Sequence, residues 1–309
     1  MHGSDAGAVD GAVVVALDGE APAISVERIS RFYTPPSFGS AQRFFSLFGG
    51  LEADVAVADF GDDGDDDDDD DDDTDADTEL AIERGTTASM ALDSLSLRVS
   101  GSGCVGIVGP KNSGKSVLLR TIAGLSPPSS GRIVVHGTVA PVLTSLAGVV
   151  PSRGKLRRVL PTVGGFLGFP PSHVRRVLPE IFELLGDPEL GNKAVRTFVG
   201  KQRLSLLFAL ILTLDPDILI VDCALPSGAL GEACRERMLE LKRCGSLVLI
   251  AARRVEDIAW IADHVVYLTQ GSVTGAERID VALAAGAAAE REPAAESELS
   301  ATDVRSRIG

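Results

Sequence analysis

The stretch Gly109-Pro110-Lys111-Asn112-Ser113-Gly114-Lys115-Ser116 decides the fold of this chain. It fits the pattern GxxxxGK[ST], and it lies between a short apolar strand, Cys104 to Val108, and a helix predicted from about Lys115 to Ala123. Glycines in such a loop let backbone amides curl around phosphate oxygens, and the helix N-terminus adds partial positive charge. A chance glycine-rich turn is the alternative, but the Lys-Ser pair and the strand-to-helix context favour a phosphate-binding loop, whose predicted contacts run from Gly109 to Val117.

A second apolar strand, Ile218 to Val221, is followed directly by Asp222. An aspartate at the carboxyl end of a parallel strand lies at the ligand-binding edge of the sheet. We therefore expect Lys115 to reach the β- and γ-phosphates, and Ser116 and Asp222 to hold Mg²⁺, with Asp222 acting through the water shell. An aspartate that only caps the next turn is the alternative.

Short apolar runs alternate with helical patterns along most of the chain. Strands are predicted at 23–33, 94–99, 104–108, 131–135, 218–221, 247–251 and 265–268, and helices at 115–123, 202–213, 230–243 and 254–261. Residues 152–200 carry a helical pattern that we expect to be broken by Pro161, Pro170, Pro171 and Pro179. This alternation predicts an α/β fold with a mostly parallel sheet.

Changes of composition predict the domain boundaries. Residues 1–22 are small and weakly patterned, which predicts a loose tail, and residues 277–309 form a low-complexity C-terminal tail. Between them, residues 23–276 form one nucleotide-binding domain. Within it, 34–86 is read as an insertion, longer than most loops, and about 152–200 as a helical subdomain.

The acidity of the chain is local. The formal net charge is −15, but thirteen aspartates lie between Asp62 and Asp77, and the remainder of the chain carries only −2. No basic nucleic-acid-binding surface is expected from this balance, so nucleic acid is excluded as a partner. The aspartate run is predicted to be a solvated disordered loop, with a tether for cations or a basic partner as the alternative.

The cysteines and the hydropathy point to a reducing compartment and a chain without membrane spans. None of the four cysteines forms a CxxC pair, so free thiols are expected. The longest apolar run, Leu204 to Leu214, is shorter than the roughly 20 residues needed to span a bilayer. We expect a soluble protein that docks on a membrane partner.

The residues around the phosphate loop are similar to those of the ATP-binding subunits of ABC transporters. The resemblance lies in Gly106 to Gly109, Gly114 to Leu125 and Pro128 to Ile133, and it covers roughly 23–33 and 87–275. It implies a P-loop NTPase of the ABC ATPase type, with an antiparallel β subdomain and a helical subdomain beside the core. It also implies ATP and Mg²⁺ as cofactors, with Tyr33 stacking on adenine; an ordinary strand aromatic is the alternative for Tyr33.

Further residues resemble the glycan-exporting branch of that family, namely Pro141-Val142, Leu146-Ala147-Gly148, Arg196-Thr197-Phe198, Arg203-Leu204 and Leu207 to Leu210. Within this branch, exporters of the O-antigen type often carry a C-terminal glycan-binding domain. About 30 residues follow Gly275 here, too few for such a domain, so we expect the capsule type. The branch implies a membrane permease as partner, a homodimer or a heterodimer with a second ATP-binding subunit, and a place on the cytoplasmic face of the cell membrane.

The chain departs from the family at two catalytic positions. Cys223 stands where the family has a glutamate that polarises the attacking water, and loss of a general base costs about 10²- to 10⁴-fold in rate. A nucleophilic Cys223 is the alternative, but no adjacent histidine is visible to activate it. Arg253 stands at the position of the switch histidine, and as a cation it could still contact the γ-phosphate.

The signature segment also departs from the family. It reads Phe198-Val199-Gly200-Lys201-Gln202, with Val199 in place of a serine that bonds phosphate and Lys201 in place of a glycine. Lys201 either supplies charge to the phosphate or marks a weakened contact. Ala229 stands at about the position of the family's D-loop aspartate, and Pro151 near the position of the glutamine that precedes the helical subdomain.

Three hypotheses follow from the sequence. The first is the ATP-binding subunit of a glycan ABC exporter, with weak or absent ATP hydrolysis. The second is a nucleotide-binding pseudo-ATPase that acts as a scaffold or regulator beside a competent ATPase. The third is a P-loop protein with no role in transport.

Overall fold

The computed structural model describes residues 6–9, 12–17, 23–33, 89–151 and 153–285. The chain divides into two units, one formed by Phe32–Met90 and the other by Met1–Arg31 with Ala91–Gly309. Of the first unit, only the strand residues at its two ends are described. The expected insertion, with its aspartate run, and most of the C-terminal tail lie outside the described residues, and their boundaries stay predictions.

Eleven strands lie in the described residues: β1 (Ala6–Val9), β2 (Ala12–Ala16), β3 (Ala23–Tyr33), β4 (Ser89–Ser100), β5 (Gly103–Val108), β6 (Ser130–His136), β7 (Val139–Leu143), β8 (Ile218–Asp222), β9 (Leu247–Ala252), β10 (His264–Thr269) and β11 (Ser272–Arg278). All seven predicted strands are present, and their bounds differ from the predicted ones by a few residues.

The larger sheet has the order β11-β10-β5-β9-β8-β7. Neighbouring strands from β10 to β7 are parallel, and only the pair of β10 and β11 is antiparallel. The central strands β5 and β9 are apolar throughout, as is typical of strands in a parallel sheet that is covered on both faces. The predicted mostly parallel core sheet is confirmed.

The second sheet has the order β1-β2-β4-β3-β6. The pairs of β1 with β2 and of β3 with β6 are antiparallel, as expected, but β2 runs parallel to β4. The prediction of a loose tail is therefore wrong for residues 6–9 and 12–16. Their small side chains give little periodic signal, whereas β2 pairs with the distant strand β4 and β1 pairs with β2; Ala12 and Val15 of β2 are buried.

Five α-helices of at least 8 residues lie in the described parts of the chain: α1 (Lys115–Ile122), α2 (Leu156–Phe166), α3 (Pro171–Leu184), α4 (Lys201–Thr213) and α5 (Gly228–Arg243). Short 3₁₀ segments lie at Thr144–Val149, Pro188–Asn192, Val195–Thr197 and Glu256–Ile258. Residues 279–285 are also helical. Helices α1 and α5 pack on the larger sheet, and α2, α3 and α4 pack on one another.

Two of the four prolines in the helical segment do not break it. Pro170 and Pro171 lie between α2 and α3, where a break is expected: Pro170 is the N-cap of α3 and Pro171 its first residue, a position that the fixed φ of proline suits. Pro161 and Pro179, however, lie inside α2 and α3. Each removes one backbone hydrogen bond, and the apolar faces that α2 and α3 bury outweigh that loss.

The prediction of a helix at 254–261 is wrong. The segment contains only a 3₁₀ helix, Glu256–Ile258, followed by turns. It links β9 to β10 and buries Ile258 and Ile261 within that connection. No helix in the described residues is both long and apolar enough to cross a membrane.

Candidate functional site

The phosphate-binding loop lies where the sequence places it, between the end of β5 and the start of α1. Asn112 has φ +62° and Gly114 has φ +101°, so the loop turns through two residues in the left-handed region. A Cβ on Gly109 would lie 2.1 Å from the carbonyl oxygen of Leu268, and one on Gly114 would lie 2.5 Å from that of Ala91. Both glycines are therefore required by close backbone approach.

The end of the loop leaves the start of α1 open to a ligand. Gly114 is the N-cap residue and has no side chain to bond the first amides of the helix. These amides remain available to phosphate oxygens, and the helix dipole favours negative charge there.

Val117, the last residue predicted to contact the phosphates, lies in the first turn of α1. Its side chain is half-buried and packs against the hydrophobic core, and its carbonyl oxygen accepts a hydrogen bond from Oγ1 of Thr121 at 2.6 Å. The apolar side chain of Val117 therefore supports the helix, and a contact from Val117 to phosphate would come from its backbone amide alone. That contact stays a prediction.

Lys115 is held inside the loop. Its Nζ donates hydrogen bonds to the carbonyl oxygens of Gly109, at 2.8 Å, and Pro110, at 2.7 Å, and to Oγ of Ser113, at 3.2 Å. Burial lowers the pKa of Lys115, and the negative charge of Asp222 opposes that shift. A phosphate group would give the Lys115 ammonium an anionic hydrogen-bond acceptor, which binds it more strongly than the neutral carbonyl oxygens of the loop.

A backbone hydrogen bond that the sequence did not predict holds the phosphate-binding loop to the turn between β10 and β11. The amide of Gly271 donates to the carbonyl oxygen of Ser113 at 2.9 Å, and Ser113 is only 2% exposed. Gly271 lies in the tight turn between β10 and β11 and has φ +80°. The Gln270-Gly271 pair predicts a turn from the sequence, but the contact of that turn with Ser113 depends on the pairing of β10 with β5.

Three neighbouring strands bring the predicted catalytic positions to one edge. Val108 of β5 is paired with Ala252 of β9, and Val221 of β8 is paired with Ile250 of β9. All three strands end at the same level, so the phosphate loop, Arg253 and Asp222 leave the sheet side by side. The register explains why Asp222 acts on the pKa of Lys115 across the intervening strand.

Ser116 and Asp222 are suitable ligands for Mg²⁺. Both are half-buried, and a hydroxyl and a carboxylate are the hard oxygen donors that this ion prefers. Within the described ranges, no group of three or more His, Cys, Asp or Glu side chains could hold a metal ion. A metal at Ser116 and Asp222 would therefore take most of its ligands from phosphate and water, as Mg²⁺ commonly does.

Cys223 follows Asp222 at the edge of the sheet. Burial, and then the negative charge of Asp222, raise the pKa of the Cys223 thiol to about 12. The thiol lies 3.5 Å from the carbonyl oxygen of Val142, to which it donates. At neutral pH Cys223 is a protonated thiol, which neither accepts a proton from water nor attacks as a thiolate.

The other positions of the predicted site are also located. Arg253 is exposed directly after β9, Pro151 is half-buried after the first 3₁₀ segment, and Ala229 is exposed in the first turn of α5. Tyr33 ends β3, but its side chain lies outside the described residues. Stacking of Tyr33 on adenine and a phosphate contact by Arg253 stay predictions.

The signature segment forms a well-defined turn before α4. Gly200 has φ +48° and ψ −123°, a backbone conformation open to glycine, and Val199 is 66% exposed. The amide of Val199 donates to Oε1 of Gln202 at 3.3 Å, and Nε of Arg203 donates to the carbonyl oxygen of Phe198 at 2.8 Å. These two bonds present Val199 and Lys201 to solvent at the start of the helix.

The fold and the site together define a P-loop nucleotide-binding domain. A glycine-rich loop opens a helix at the carboxyl edge of a parallel sheet, and an aspartate ends a strand at that same edge. Sequence comparison finds that residues 92–225 match the family described as ABC transporter. These residues therefore belong to an ABC transporter ATP-binding domain, a type of domain that binds nucleotide.

The chain is similar to ATP-binding proteins of two export systems. It is 28% identical over 185 residues to the teichoic acids export ATP-binding protein TagH of Bacillus cereus, which covers 59% of this chain and 33% of TagH. It is 28% identical over 192 residues to the O-antigen export system ATP-binding protein RfbB of Myxococcus xanthus, which covers 62% of this chain and 44% of RfbB. The chain thus spans less than half the length of these two relatives.

Solved structures support the fold. The dimeric ATP-binding cassette MJ0796, in a post-hydrolysis state with ADP and phosphate, matches 83% of this chain and 98% of its own, with a TM-score of 0.57 at 15% identity. The ADP conformation of the cassette MJ1267 matches 84% of this chain and 91% of its own, with a TM-score of 0.51 at 17% identity. The predicted ABC ATPase fold is confirmed.

Proposed function

We propose that this chain is the ATP-binding subunit of an ABC transporter that exports a glycan, and that it hydrolyses ATP slowly or not at all. The similarity to export proteins for teichoic acids and O-antigen supports the class of cargo. The intact phosphate loop supports binding of ATP with Mg²⁺ through Lys115, Ser116 and Asp222. The partner would be a membrane permease, which places this chain on the cytoplasmic face of the membrane.

The single observation that carries the proposal of weak hydrolysis is the state of Cys223. A thiol whose pKa is about 12 holds its proton at neutral pH, so the position of the general base is occupied by a group that cannot act as one. The thiol of Cys223 also donates its proton to the carbonyl oxygen of Val142, so that proton does not orient a water molecule.

The test compares ATP turnover by the wild-type chain, a Cys223→Glu variant and a Cys223→Ser variant. We expect Cys223→Glu to raise turnover by about 10²- to 10⁴-fold and Cys223→Ser to leave it unchanged. Turnover by the wild type at an ordinary transporter rate, equal to that of Cys223→Glu, would contradict the proposal. Binding of a fluorescent ATP analogue shows whether each variant keeps its nucleotide site.

A second candidate is a pseudo-ATPase that regulates a competent homologue, and the signature segment favours it. In a dimer of such domains each nucleotide lies between one phosphate loop and the partner's signature segment. The departures at Cys223 and at Val199 and Lys201 then weaken this chain's own site and also the partner's. Purification of the complex from native membranes decides between the two candidates, since a second, intact ATP-binding subunit supports the regulator and a homodimer on the permease contradicts it.

A further inference from the structure

The hairpin of β10 and β11 contacts the phosphate loop at two places, although it contributes no residue to the loop itself. At the first place, a Cβ on Gly109 would lie 2.1 Å from the carbonyl oxygen of Leu268 in β10. At the second, the amide of Gly271 donates to the carbonyl oxygen of Ser113 at 2.9 Å. The hairpin is itself fixed to the larger sheet by the pairing of β10 with β5, the strand that leads into the loop.

Gly271 also bonds the second sheet. Its carbonyl oxygen accepts a hydrogen bond from the amide of Asp93 in β4 at 3.0 Å, while its own amide bonds Ser113. A Cβ on Gly271 would lie 2.8 Å from the carbonyl oxygen of Ala91 and 3.0 Å from Cα of Leu92. One residue therefore connects β4 with the phosphate loop, at a spacing that only glycine allows.

The turn of this hairpin holds a strained residue. The strands pair as far as Thr269 and Ser272, so Gln270 and Gly271 alone make the connection. Gln270 has φ +48° and Gly271 has φ +80°, the sign of φ that both central residues of a type I′ turn require. Glutamine is unfavourable in this region, and such strain persists only where surrounding contacts impose it. The bonds of Gly271 to β4 and to the phosphate loop are contacts of that kind.

We propose that Gly271 is a positioning residue for nucleotide binding, which aims the amide of Gly114 at a phosphate oxygen. A peptide bond is planar and trans, so the carbonyl oxygen of Ser113 and the N–H of Gly114 point in opposite directions. Because Gly271 holds that oxygen towards the hairpin, the N–H of Gly114 points away from the hairpin. An amide aimed in this way at the N-cap of α1 is placed to donate to a phosphate. The proposal rests on the nucleotide binding proposed above and adds to it a residue outside the phosphate loop.

The test is the ATP dissociation constant of a Gly271→Ala variant. The added methyl group would clash with the backbone of Ala91 and Leu92, and φ +80° is unfavourable for alanine, so the turn has to move and its amide leaves Ser113. We expect ATP binding in the presence of Mg²⁺, titrated with a fluorescent analogue, to weaken by about tenfold or more. A loss of that size is typical when one hydrogen bond to a charged group is removed.

A matched control is Gly245→Ala, in the turn between α5 and β9. Gly245 has φ +103°, but a Cβ there would meet no atom of the described residues within 4 Å, and the turn lies at the end of β9 opposite the nucleotide site. The control carries a similar backbone penalty and should keep its ATP affinity within about twofold of the wild type. Melting curves without nucleotide show whether both variants are folded. Unchanged affinity in Gly271→Ala, or equal losses in the two variants, would overturn the proposal.

Hydrogen exchange in the wild type is a second test, which decides the matter if Gly271→Ala fails to fold. The amide of Gly271 should exchange about tenfold or more slowly than an unbonded turn amide, and ATP with Mg²⁺ should slow it further by ordering the loop. Exchange at the rate of an unbonded amide would show that the bond to Ser113 is absent in solution. That result, or an exchange rate that ATP does not change, would overturn the proposal.

The outcomes separate the positioning role from the proposed function. Wild-type ATP binding that Lys115→Ala abolishes, together with unchanged binding by Gly271→Ala, would sink the positioning role alone. Absence of ATP binding by the wild type would sink both. The exporter role is tested by the presence of a permease in the complex purified from membranes, and a missing permease with the Gly271→Ala effect intact would sink the exporter role alone.

Discussion

Lys115 is the residue whose environment carries the most direct consequence for nucleotide binding. Burial disfavours its charged form in the free protein, so the pKa of Lys115 is lowered. Bound phosphate would favour the charged form and raise that pKa. ATP affinity is therefore full below the lowered pKa and falls as pH rises from that value towards the pKa of the bound state.

We expect the ATP affinity of the wild type to begin its alkaline fall at a lower pH than an ordinary lysine would give. A Lys115→Arg variant, which stays charged, should lack this fall even if its affinity is lower throughout. Isothermal titration at a series of pH values measures both. Parallel pH profiles for the wild type and Lys115→Arg would show that Lys115 is not the titrating group.

The predictability of the site also differs from residue to residue. The positions of the phosphate loop, of Asp222 at the end of β8 and of Arg253 directly after β9 follow from sequence spacing, because a strand, a turn and a helix N-terminus are local features. The state of Cys223 does not, since its pKa depends on burial between strands and on the neighbouring Asp222. The anchoring bond from Gly271 to Ser113 joins residues far apart in the chain and needs the completed sheet.

At the scale of elements, two adjacent glycines in α2 face different surroundings. A Cβ on Gly164 would meet the buried side chain of Val174 at 2.5 Å, whereas one on Gly165 would meet Pro171 at an ordinary 3.7 Å. Gly164 thus lets α2 approach α3 closely, and Gly165 has no such role.

We predict opposite effects on stability for these two sites. Gly164→Ala should lower the free energy of unfolding by about 1–3 kcal/mol through overpacking. Gly165→Ala should raise it by about 0.5–1 kcal/mol, because alanine loses less backbone freedom on folding. Urea denaturation of both variants measures the difference, and a shift of the same sign at both sites would contradict the packing described for α2 and α3.

Elements with strong local patterns were predicted well, and those decided by long-range contacts were not. The apolar strands β5, β8 and β9 and the buried helix α4 carry their own signals. Strands β1 and β2 are short and have small side chains; β2 pairs with β4, which is distant in the sequence, and β1 pairs with β2. Pro161 and Pro179 suggested breaks, but the buried apolar faces of α2 and α3 outweigh the cost of a proline inside a helix.

At the scale of the whole molecule, the net charge of −15 is a property of one segment. The thirteen aspartates between Asp62 and Asp77 belong to the part of the chain outside the described residues, and their role stays a prediction. The rest of the chain carries a formal net charge of only −2.

Deletion of residues 61–78 should leave nucleotide binding intact if the aspartate run is a solvated loop. We expect the ATP dissociation constant of the deletion variant to stay within about twofold of the wild type, because exposed charges more than about 10 Å away are screened at ordinary salt. Titration with a fluorescent ATP analogue measures it. A tenfold loss of affinity would show that the run contributes to the site.

The most direct measurement of the central claim is ATP binding and phosphate release by the same wild-type sample, with Lys115→Ala as the control. The structure combines an intact phosphate loop with a protonated thiol at the position of the base. We predict saturable ATP binding that Lys115→Ala abolishes, with phosphate release far below the ~1–10³ s⁻¹ typical of enzymes. Release at such a rate by the wild-type chain, at saturating ATP and Mg²⁺, would contradict the account.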